Sequence, residues 1–416
     1  MTPENALPEP RSLTRRAPDV QIAHWARLRS AIERSYWESR EYLESAAQLD
    51  ARMLVLSGEE KHSGAPLRSL YFGSGNHFAY VRGLLYRDCR VEEERANHRI
   101  WSARRRIDER RREVDLVVAD LPWPWHRLLR GRGMVEVPAW VNQRMTLPDR
   151  WRDVFPLLRR SARGEDMRGI RKHRLEYRLV HDEEAIRRFY EEMYVPHLTQ
   201  RFGEAAFIEP EWKIRYCVEN GTLMEILQEG RLVAAQVLWG NRGSLHFLWA
   251  GTTGEDYGAR TRGVFPALYY FGILYAFERG YDEVDYCGSR PVLADGILQM
   301  KRRWGAGIRD GWSRDTLFFG PRHFDGANRE FLMRHPLIAR SDGGLVGKLL
   351  AGADAAGADV VSRAGQMYAS AGIREIRIYF LEKPLPEAIE MARSTPGIKI
   401  VDLSKEPERV TAYCSR

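Results

Sequence analysis

The stretch Tyr281-Asp-Glu-Val-Asp-Tyr-Cys-Gly-Ser-Arg290, followed by Gly296-Ile-Leu-Gln-Met-Lys-Arg-Arg-Trp-Gly305, decides how the rest of the chain is interpreted. Its first half predicts a short strand that carries Asp285 near its end and runs into a turn of small residues. Its second half predicts a helix that carries Lys301 in its last turn. A carboxylate at the carboxyl end of a buried strand is where α/β sheets commonly place ligand-contacting groups.

Length and composition bound the possible classes of protein. A chain of 416 residues, with 44% hydrophobic and 29% charged residues, is expected to form two or three compact globular units. The net charge of +8 comes from 57 Arg and 8 Lys that are spread along the whole chain, which favours a compositional bias over a phosphate-binding face. The four cysteines show neither metal-ligand nor disulfide spacing, so we expect a reducing cytoplasm; they are Cys89, Cys217, Cys287 and Cys414.

Export and membrane insertion are not expected. Residues Met1 to Val20 contain Pro and Arg but no apolar run of signal-peptide length, and we interpret residues 1–20 as a disordered tail. The longest apolar stretch, Val264 to Phe277, is shorter than the roughly 20 residues that cross a bilayer. It is typical of a buried helix, and a cytoplasmic protein follows as the expectation.

Residues 21–155 predict a first subdomain of helices and a sheet. A helix is expected from Ile22 to Leu49, and short strands separated by glycines from Arg52 to Arg90. A second helix is expected from Val91 to Arg112, where acidic and basic residues alternate at helical spacing. Strands from Val114 and near Val135 to Leu147 complete this subdomain.

Residues 156–320 predict a second unit with the order β-α-α-β-β-β-α-β-α-β. Asp182 is an N-cap candidate for its first helix, and Pro196 is expected just past the end of that helix. The predicted bounds are Glu176 to His181, Glu183 to Tyr194, Glu211 to Val218, Thr222 to Gln228, Leu232 to Trp239, Ser244 to Gly251, Val264 to Arg279, Glu283 to Cys287, Asp295 to Arg303 and Trp312 to Phe319.

Residues 321–416 predict a C-terminal appendage. An Ala- and Gly-rich helix is expected from about Leu345 to Ser370. A compact strand, helix and strand are expected at Arg374 to Leu381, Pro384 to Arg393 and Ile398 to Leu403. Nothing in this segment indicates a function.

The element order of 160–320, together with the Asp285 strand and the Lys301-x-x-Trp304-Gly305 helix end, resembles the GNAT-fold N-acyltransferases, and most closely their Fem-type (FemAB-like) relatives. The resemblance implies an α/β GNAT fold, with residues 21–155 as a degenerate first copy in tandem. It also implies an acyltransferase that moves an acyl group from acyl-CoA, for example acetyl-CoA, to a primary amine. The acceptor would be a sugar, a peptide or a precursor in cell-envelope biosynthesis, and no metal is implied.

Three residues are candidates for catalysis. Asp285 is placed to orient or deprotonate the amine, or simply to cap the following helix. Lys301 occupies the position where the resemblance implies contact with a donor or acceptor phosphate; otherwise it is a solvated helix residue. His246, between Leu245 and Phe247 in a strand, is either a base or a satisfied core histidine. Cys287 is not favoured as a nucleophile, because no His or Asp arrangement is visible near it in the sequence.

The donor's phosphates are expected at the start of the buried helix, where free backbone N–H groups and the helix dipole favour anions. GNAT enzymes carry Gln/Arg-x-x-Gly-x-Gly/Ala at this turn. Arg260 and Gly263 match its first two fixed positions, and Phe265 stands where the family has a small residue. The candidate donor-binding residues are Arg260, Arg262, Gly263, Gly251 and Thr252.

Acceptor contacts and two alternatives complete the sequence interpretation. The candidate substrate-binding residues are Arg201, Tyr257, Tyr286, Ser289 and Trp304. One alternative is an aminoacyl-tRNA-dependent Fem-type transferase, whose tRNA the net positive charge would attract. The other is a catalytically silent GNAT-like scaffold that binds a protein partner through residues 321–416.

Overall fold

The computed structural model describes residues 47, 49–203, 206–241, 243–253, 263–311, 315–352, 357–405 and 409–414. The tail predicted at 1–20, and nearly all of the helix predicted from Ile22 to Leu49, lie outside these ranges. Contacts divide the chain into two compact units. The described residues of the first unit fall within Gln143–Cys287 and Met300–Gly307, and those of the second within Trp37–Asn142, Gly288–Gln299 and Ile308–Arg416.

The strands are β1 Asp50–Glu60, β2 Pro66–Gly73, β3 Tyr86–Arg99, β4 Leu116–Leu121, β5 Val135–Pro138, β6 Val141–Thr146, β7 Leu175–Val180, β8 Thr222–Gln228, β9 Arg231–Asn241, β10 Ser244–Thr252, β11 Glu283–Ser289, β12 Gly307–Asp310, β13 Thr316–Pro321, β14 Leu337–Ser341, β15 Gly344–Ala351, β16 Ile373–Phe380 and β17 Ile398–Asp402. The α-helices are α1 Phe78–Leu85, α2 Ala103–Arg110, α3 Met167–Lys172, α4 Glu183–Arg188, α5 Val195–Phe202, α6 Glu211–Glu219, α7 Val264–Glu278, α8 Gly296–Arg303, α9 Gly326–Arg334, α10 Ala358–Tyr368, α11 Pro386–Ser394 and α12 Arg409–Cys414. The chain is thus of the mixed α/β class, as predicted.

The first unit is built around strands β11, β10, β9, β8 and β7, which lie in this order within a seven-stranded sheet of order β12-β6-β11-β10-β9-β8-β7. Helix α7 packs with its apolar residues in the core of this unit, and most of its side chains are buried. The sequence order from β7 to α8 is the order predicted from the sequence, and β7, β8, β9, β10 and β11 lie side by side in chain order. Asp182 caps α4 as predicted, since its carboxylate accepts a hydrogen bond from the Ala185 N–H at 2.9 Å.

The prediction that the first helix of this unit ends before Pro196 is wrong. After α4 the chain passes through a π-helical segment, Phe189–Tyr194, and continues directly into α5. Pro196 lies in the first turn of α5, where the N–H that proline lacks needs no partner within that helix. The proline therefore lies just after the π-helical segment inside a continuous helical stretch and does not end it.

The second unit contains a six-stranded sheet of order β3-β1-β2-β4-β13-β5 and a four-stranded sheet of order β14-β15-β16-β17. The helix predicted from Val91 to Arg112 is wrong in its first part, because the chain up to Arg99 is strand β3 and only Ala103–Arg110 is helical. Strand β3 is largely exposed and pairs antiparallel with β1. Its acidic residues form ion pairs with basic residues of other elements, as Glu92 does with Arg68 at 2.8 Å.

The strand predicted at Trp312 to Phe319 belongs to the other sheet. It is β13, which pairs antiparallel with β4 and β5 of the six-stranded sheet. The division of the chain therefore differs from the boundaries predicted at 155 and 320. Residues 312–314 lie outside the described ranges.

The helix predicted from Leu345 is also wrong in its first half. The apolar run from Leu345 to Ala351 is strand β15, buried between the antiparallel β14 and the parallel β16. A continuous apolar run that is buried on both faces is a property of interior strands as well as of helices. Helix α10 begins only at Ala358.

Among the helices that the structure describes, none combines the length and the apolar character needed to cross a membrane.

Candidate active site

Strands β10 and β11 run parallel but share only a short ladder. The paired residues are Ser244 with Glu283, Leu245 with Val284 and His246 with Asp285. Directly after this stretch, β10 contains a bulge between Phe247 and Ala250 in its pairing with β9. On β11, Cys287 has a φ of 61°, in the left-handed region that non-glycine residues seldom adopt. Both strands thus depart from regular extended geometry just after the paired residues. Bulges bend the strands that carry them.

Asp285 is the centre of the site. Its side chain is buried, and its Oδ2 lies 3.0 Å from Nε of Arg144 and 3.4 Å from Nδ1 of His246. Its Oδ1 accepts a hydrogen bond from the Cys287 N–H at 2.8 Å. A buried carboxylate is tolerated because cations and N–H donors surround it in this way.

The strand register brings His246 and Cys287 to Asp285. His246 lies opposite Asp285 in the parallel ladder, and Cys287 is two residues further along β11, on the same face. One ligand-type atom from each of the three residues lies within 4.8 Å of the others. The structure thus brings a histidine and an aspartate close to Cys287, an arrangement that is not visible in the sequence.

The thiol of Cys287 is held in its neutral form. Burial, followed by the nearby Asp285 carboxylate, raises the pKa of Cys287 to about 12, and the positive charges of Lys301 and Arg144 act in the opposite direction. A thiol with such a pKa does not ionise by itself at neutral pH.

Lys301 reaches the same cluster from helix α8. Its side chain is buried, and Nζ donates to the carbonyl oxygen of Cys287 at 3.4 Å. The helix thereby places a cation beside the turn that follows Asp285. The three residues predicted for catalysis, Asp285, Lys301 and His246, are thus brought together in one cluster.

The residues predicted to bind the donor have varied surroundings. Gly263 begins α7 with a φ of 110°, and a Cβ there would lie 3.1 Å from the backbone of Gly169. At Gly251 a Cβ would lie 2.6 Å from the carbonyl carbon of Met193, so this glycine allows a helical segment to approach β10. Arg260 and Arg262, and the substrate candidate Tyr257, lie outside the described residues.

Thr252 faces a buried histidine. Its hydroxyl and Nδ1 of His197 are 3.2 Å apart. Burial, and then the charge of Arg201, lowers the pKa of His197 to about 4, so this imidazole is neutral at pH 7. Arg201 itself is exposed near the end of α5.

Two of the predicted substrate-binding residues belong to the hydrophobic core. Tyr286 is 1% exposed and its hydroxyl donates to the carbonyl oxygen of Trp304 at 2.7 Å. Trp304 is 0% exposed, and its ring is stacked on Tyr269. Both side chains are enclosed in the hydrophobic core and offer no surface to a substrate. Ser289, at the end of β11, is buried as well.

Arg144 is the functional candidate that sequence reasoning missed. It lies on β6 and binds both Asp285 and Glu283, the latter at 2.8 Å through Nη1. Its partners are about 140 residues away in the sequence, and they meet because β6 and β11 are neighbours in the sheet. No local pattern around Arg144 signals this pairing.

The comparisons with known proteins add the following. No protein-family model matches the chain. No curated protein matches it in sequence. The solved structures with a similar chain path include FemX, with a TM-score of 0.35 and 10% identity over 67% of this chain and 89% of that chain. They also include L-PGS from Bacillus licheniformis, with a TM-score of 0.34 and 11% identity over 64% of this chain and 84% of that chain.

A GCN5-related N-acetyltransferase from Sphaerobacter thermophilus has a TM-score of 0.30 and 14% identity, over 62% of this chain and 73% of that chain. Fem-type and GNAT proteins are thus among the structures with a similar chain path. With TM-scores below 0.5 they carry no weight for the function. The α/β assignment rests on the element order and the strand order of the first unit.

Proposed function

We propose that the chain is an acyltransferase that moves an acyl group from a thioester donor, acyl-coenzyme A, to a primary amine. The observation that carries the proposal is that β10 and β11 pair over only three residues, with the buried Asp285 and Lys301 and the half-buried His246 at the end of this pairing. Such a place combines an open strand edge with charged groups that are held away from water. The strand edge can bind the donor, and the charged groups can act on the reacting carbonyl of the donor.

The open edge of β10 is suited to an extended donor. At Phe247 and from Ala250 to Thr252 this strand pairs with β9 on one side, whereas its described pairing with β11 on the other side ends at His246. Backbone N–H and C=O groups on such an edge need partners. The arm of coenzyme A contains amides, and it can pair with the edge as an added strand does.

The charged groups provide the remaining chemistry. The amine nitrogen attacks the thioester carbonyl carbon, so that a C–N bond forms and the C–S bond breaks. The ammonium proton passes to His246, which Asp285 holds, and the thiolate leaves as coenzyme A. Lys301 stabilises the negative charge that develops on the carbonyl oxygen. Holding amine and donor in line can remove roughly 7–11 kcal/mol of the barrier.

An aminoacyl-tRNA donor would require the same constellation, because its reactive group is an ester. The net charge of +8 favours such a polyanion. The two donors are distinguished by offering each one alone in a transfer assay. Binding of tRNA is expected to weaken steeply as the salt concentration rises.

The test is a transfer assay on the full chain. Acetyl-CoA and longer acyl-CoA thioesters are offered with panels of amino sugars, peptides and polyamines, and both free thiol and acylated amine are measured. The Asp285→Asn variant is expected to lose activity by about 10²–10⁴-fold, the range for a proton-transfer group.

Glu225→Gln is the matched control, since Glu225 is a buried carboxylate on β8 of the same sheet, held by Arg178 and Arg188. It is expected to lower stability and to leave the activity of the folded protein unchanged. Equal activity in wild type and Asp285→Asn would contradict the site. Transfer from aminoacyl-tRNA alone would replace acyl-CoA as the donor.

A further inference from the structure

We propose that His246, Asp285 and Cys287 form a binding site for a soft divalent cation such as Zn²⁺. These residues offer an imidazole nitrogen, a carboxylate oxygen and a thiol sulfur, all within 4.8 Å of one another. The inference does not depend on acyl transfer, because it concerns cation binding by itself.

The backbone builds the site. The parallel register sets His246 opposite Asp285, and the alternation of β11 places Cys287 on the same face. The left-handed conformation of Cys287 turns its N–H back to Oδ1 of Asp285, at 2.8 Å. That hydrogen bond holds Oδ1 of the carboxylate, while Oδ2 lies 3.0 Å from Nε of Arg144 and 3.4 Å from Nδ1 of His246.

The spacing fits a tetrahedral ion. Zinc bonds of about 2.0–2.3 Å place two ligand atoms about 3.3–3.8 Å apart. Nδ1 of His246 and Oδ2 of Asp285 are already 3.4 Å apart. The ligand atoms of the three residues lie within 4.8 Å of one another, so the sulfur of Cys287 needs a shift of at most about 1.5 Å to reach this spacing.

The donor set selects the type of cation. Nitrogen and sulfur ligands favour Zn²⁺ and Co²⁺ over Mg²⁺ and Ca²⁺, which prefer oxygen. Three protein ligands leave a fourth position for water or a ligand, as in catalytic zinc sites.

The neighbouring cations are accommodated by a second carboxylate. Arg144 contacts Asp285 at 3.0 Å and also Glu283 at 2.8 Å, so it keeps a partner when a metal takes Oδ2 of Asp285. Lys301 Nζ donates to the backbone carbonyl oxygen of Cys287 at 3.4 Å. The Cys287 thiol loses its proton on binding and offsets one of the two added charges.

The experiment titrates the reduced full-length protein with Co²⁺ and follows the near-ultraviolet thiolate-to-cobalt charge-transfer band. The wild type is expected to develop this band at one equivalent of metal, and Zn²⁺ is expected to displace it. Cys287→Ser should abolish the band, and His246→Gln should weaken binding by at least about tenfold.

Cys217→Ser is the matched control, because Cys217 is a buried cysteine of the same unit that lies on α6. This variant should keep the band, with circular dichroism confirming that all variants fold. No band in the wild type would overturn the proposal, and so would a band that survives in Cys287→Ser.

One consequence rests on the proposed function. A bound cation occupies His246 and Asp285, so Zn²⁺ should slow acyl transfer and a chelator should restore it. The two proposals fail separately: a cobalt band without any transferase activity leaves the metal site standing, and zinc-insensitive transfer without a band leaves only the transferase.

Discussion

The surroundings of Asp285 follow from the pairing register of strands β10 and β11. The sequence places it, His246 and Lys301 near strand and helix ends, and the structure brings all three together. The sequence predicts that Cys287 lies on the same face of its strand as Asp285, because residues two apart in a strand share a face. The proximity of Cys287 to His246 is not predicted, since it requires the parallel register of β10 with β11.

Lys301 provides the first residue-scale prediction. Lys301→Met should lower kcat of acyl transfer by about 10²–10³-fold with little change in KM, because it removes a charge needed mainly in the transition state. Steady-state kinetics measure both constants. Lys348→Met is the matched control, since Lys348 is a buried lysine of the second unit. An unchanged kcat in Lys301→Met would remove this residue from the mechanism.

His77 and Asp120 provide the second residue-scale prediction. Nδ1 of His77 and Oδ1 of Asp120 are 3.0 Å apart, and Tyr71 also donates to the carboxylate. Burial opposes the charge on His77, but the carboxylate of Asp120 outweighs burial and raises the pKa of the imidazole. Burial likewise opposes the charge on Asp120, and His77 outweighs it, which lowers the pKa of the carboxyl.

A histidine whose pKa is raised by folding adds stability below its unfolded pKa of about 6.5, and this stability is lost as the pH rises through the folded pKa. His77→Gln should therefore cost more free energy of unfolding at pH 5.5 than at pH 9. Urea denaturation of both proteins at the two pH values measures the difference. An equal cost at both pH values would mean that the pair carries no charge-dependent stability.

At the scale of elements, Gly251 tests how β10 is held. Gly251→Ala places a methyl group about where the backbone of Met193 lies, so it should destabilise the first unit by about 1–3 kcal/mol. Gly83 in α1 is the matched control, because a Cβ there meets nothing within 4 Å. Gly83→Ala should stabilise by about 0.5–1 kcal/mol. Urea denaturation checks both, and a neutral Gly251→Ala would contradict the close packing.

Elements with strong local patterns were predicted well, and those governed by distant partners were not. Helix α7 and strands β8 to β10 follow from apolar runs bounded by glycine turns. The charges of β3 repeat at helical spacing, so the sequence predicts a helix there. The segment is a strand because it pairs with β1. Local propensity is a weak prior when a sheet edge offers a partner.

At the scale of the whole molecule, the two units interleave along the chain. Residues 322–416 supply Phe331, Leu337 and Tyr379 to the same hydrophobic cluster as Tyr71 and Val118. The sequence suggested a separate appendage, because pairing between strands far apart in the sequence, such as β13 with β4, leaves no local signal.

A truncation tests this organisation. A chain that ends at Pro321 should fail to fold its second unit, because part of the core of that unit is removed. Hydrogen exchange in β4, whose residues are all buried, measures the loss of protection. Native-like protection of β4 in the truncated chain would show that residues 322–416 are a separable domain.

The most direct test of the central claim is hydrogen–deuterium exchange of the wild type with and without saturating acetyl-CoA. The account predicts new protection of the β10 amides from Phe247 to Thr252, where the strand leaves β11, and none in β16 of the second unit. Binding of acetyl-CoA that leaves β10 unprotected, or that protects only the second unit, would contradict the assignment of the donor to this opening.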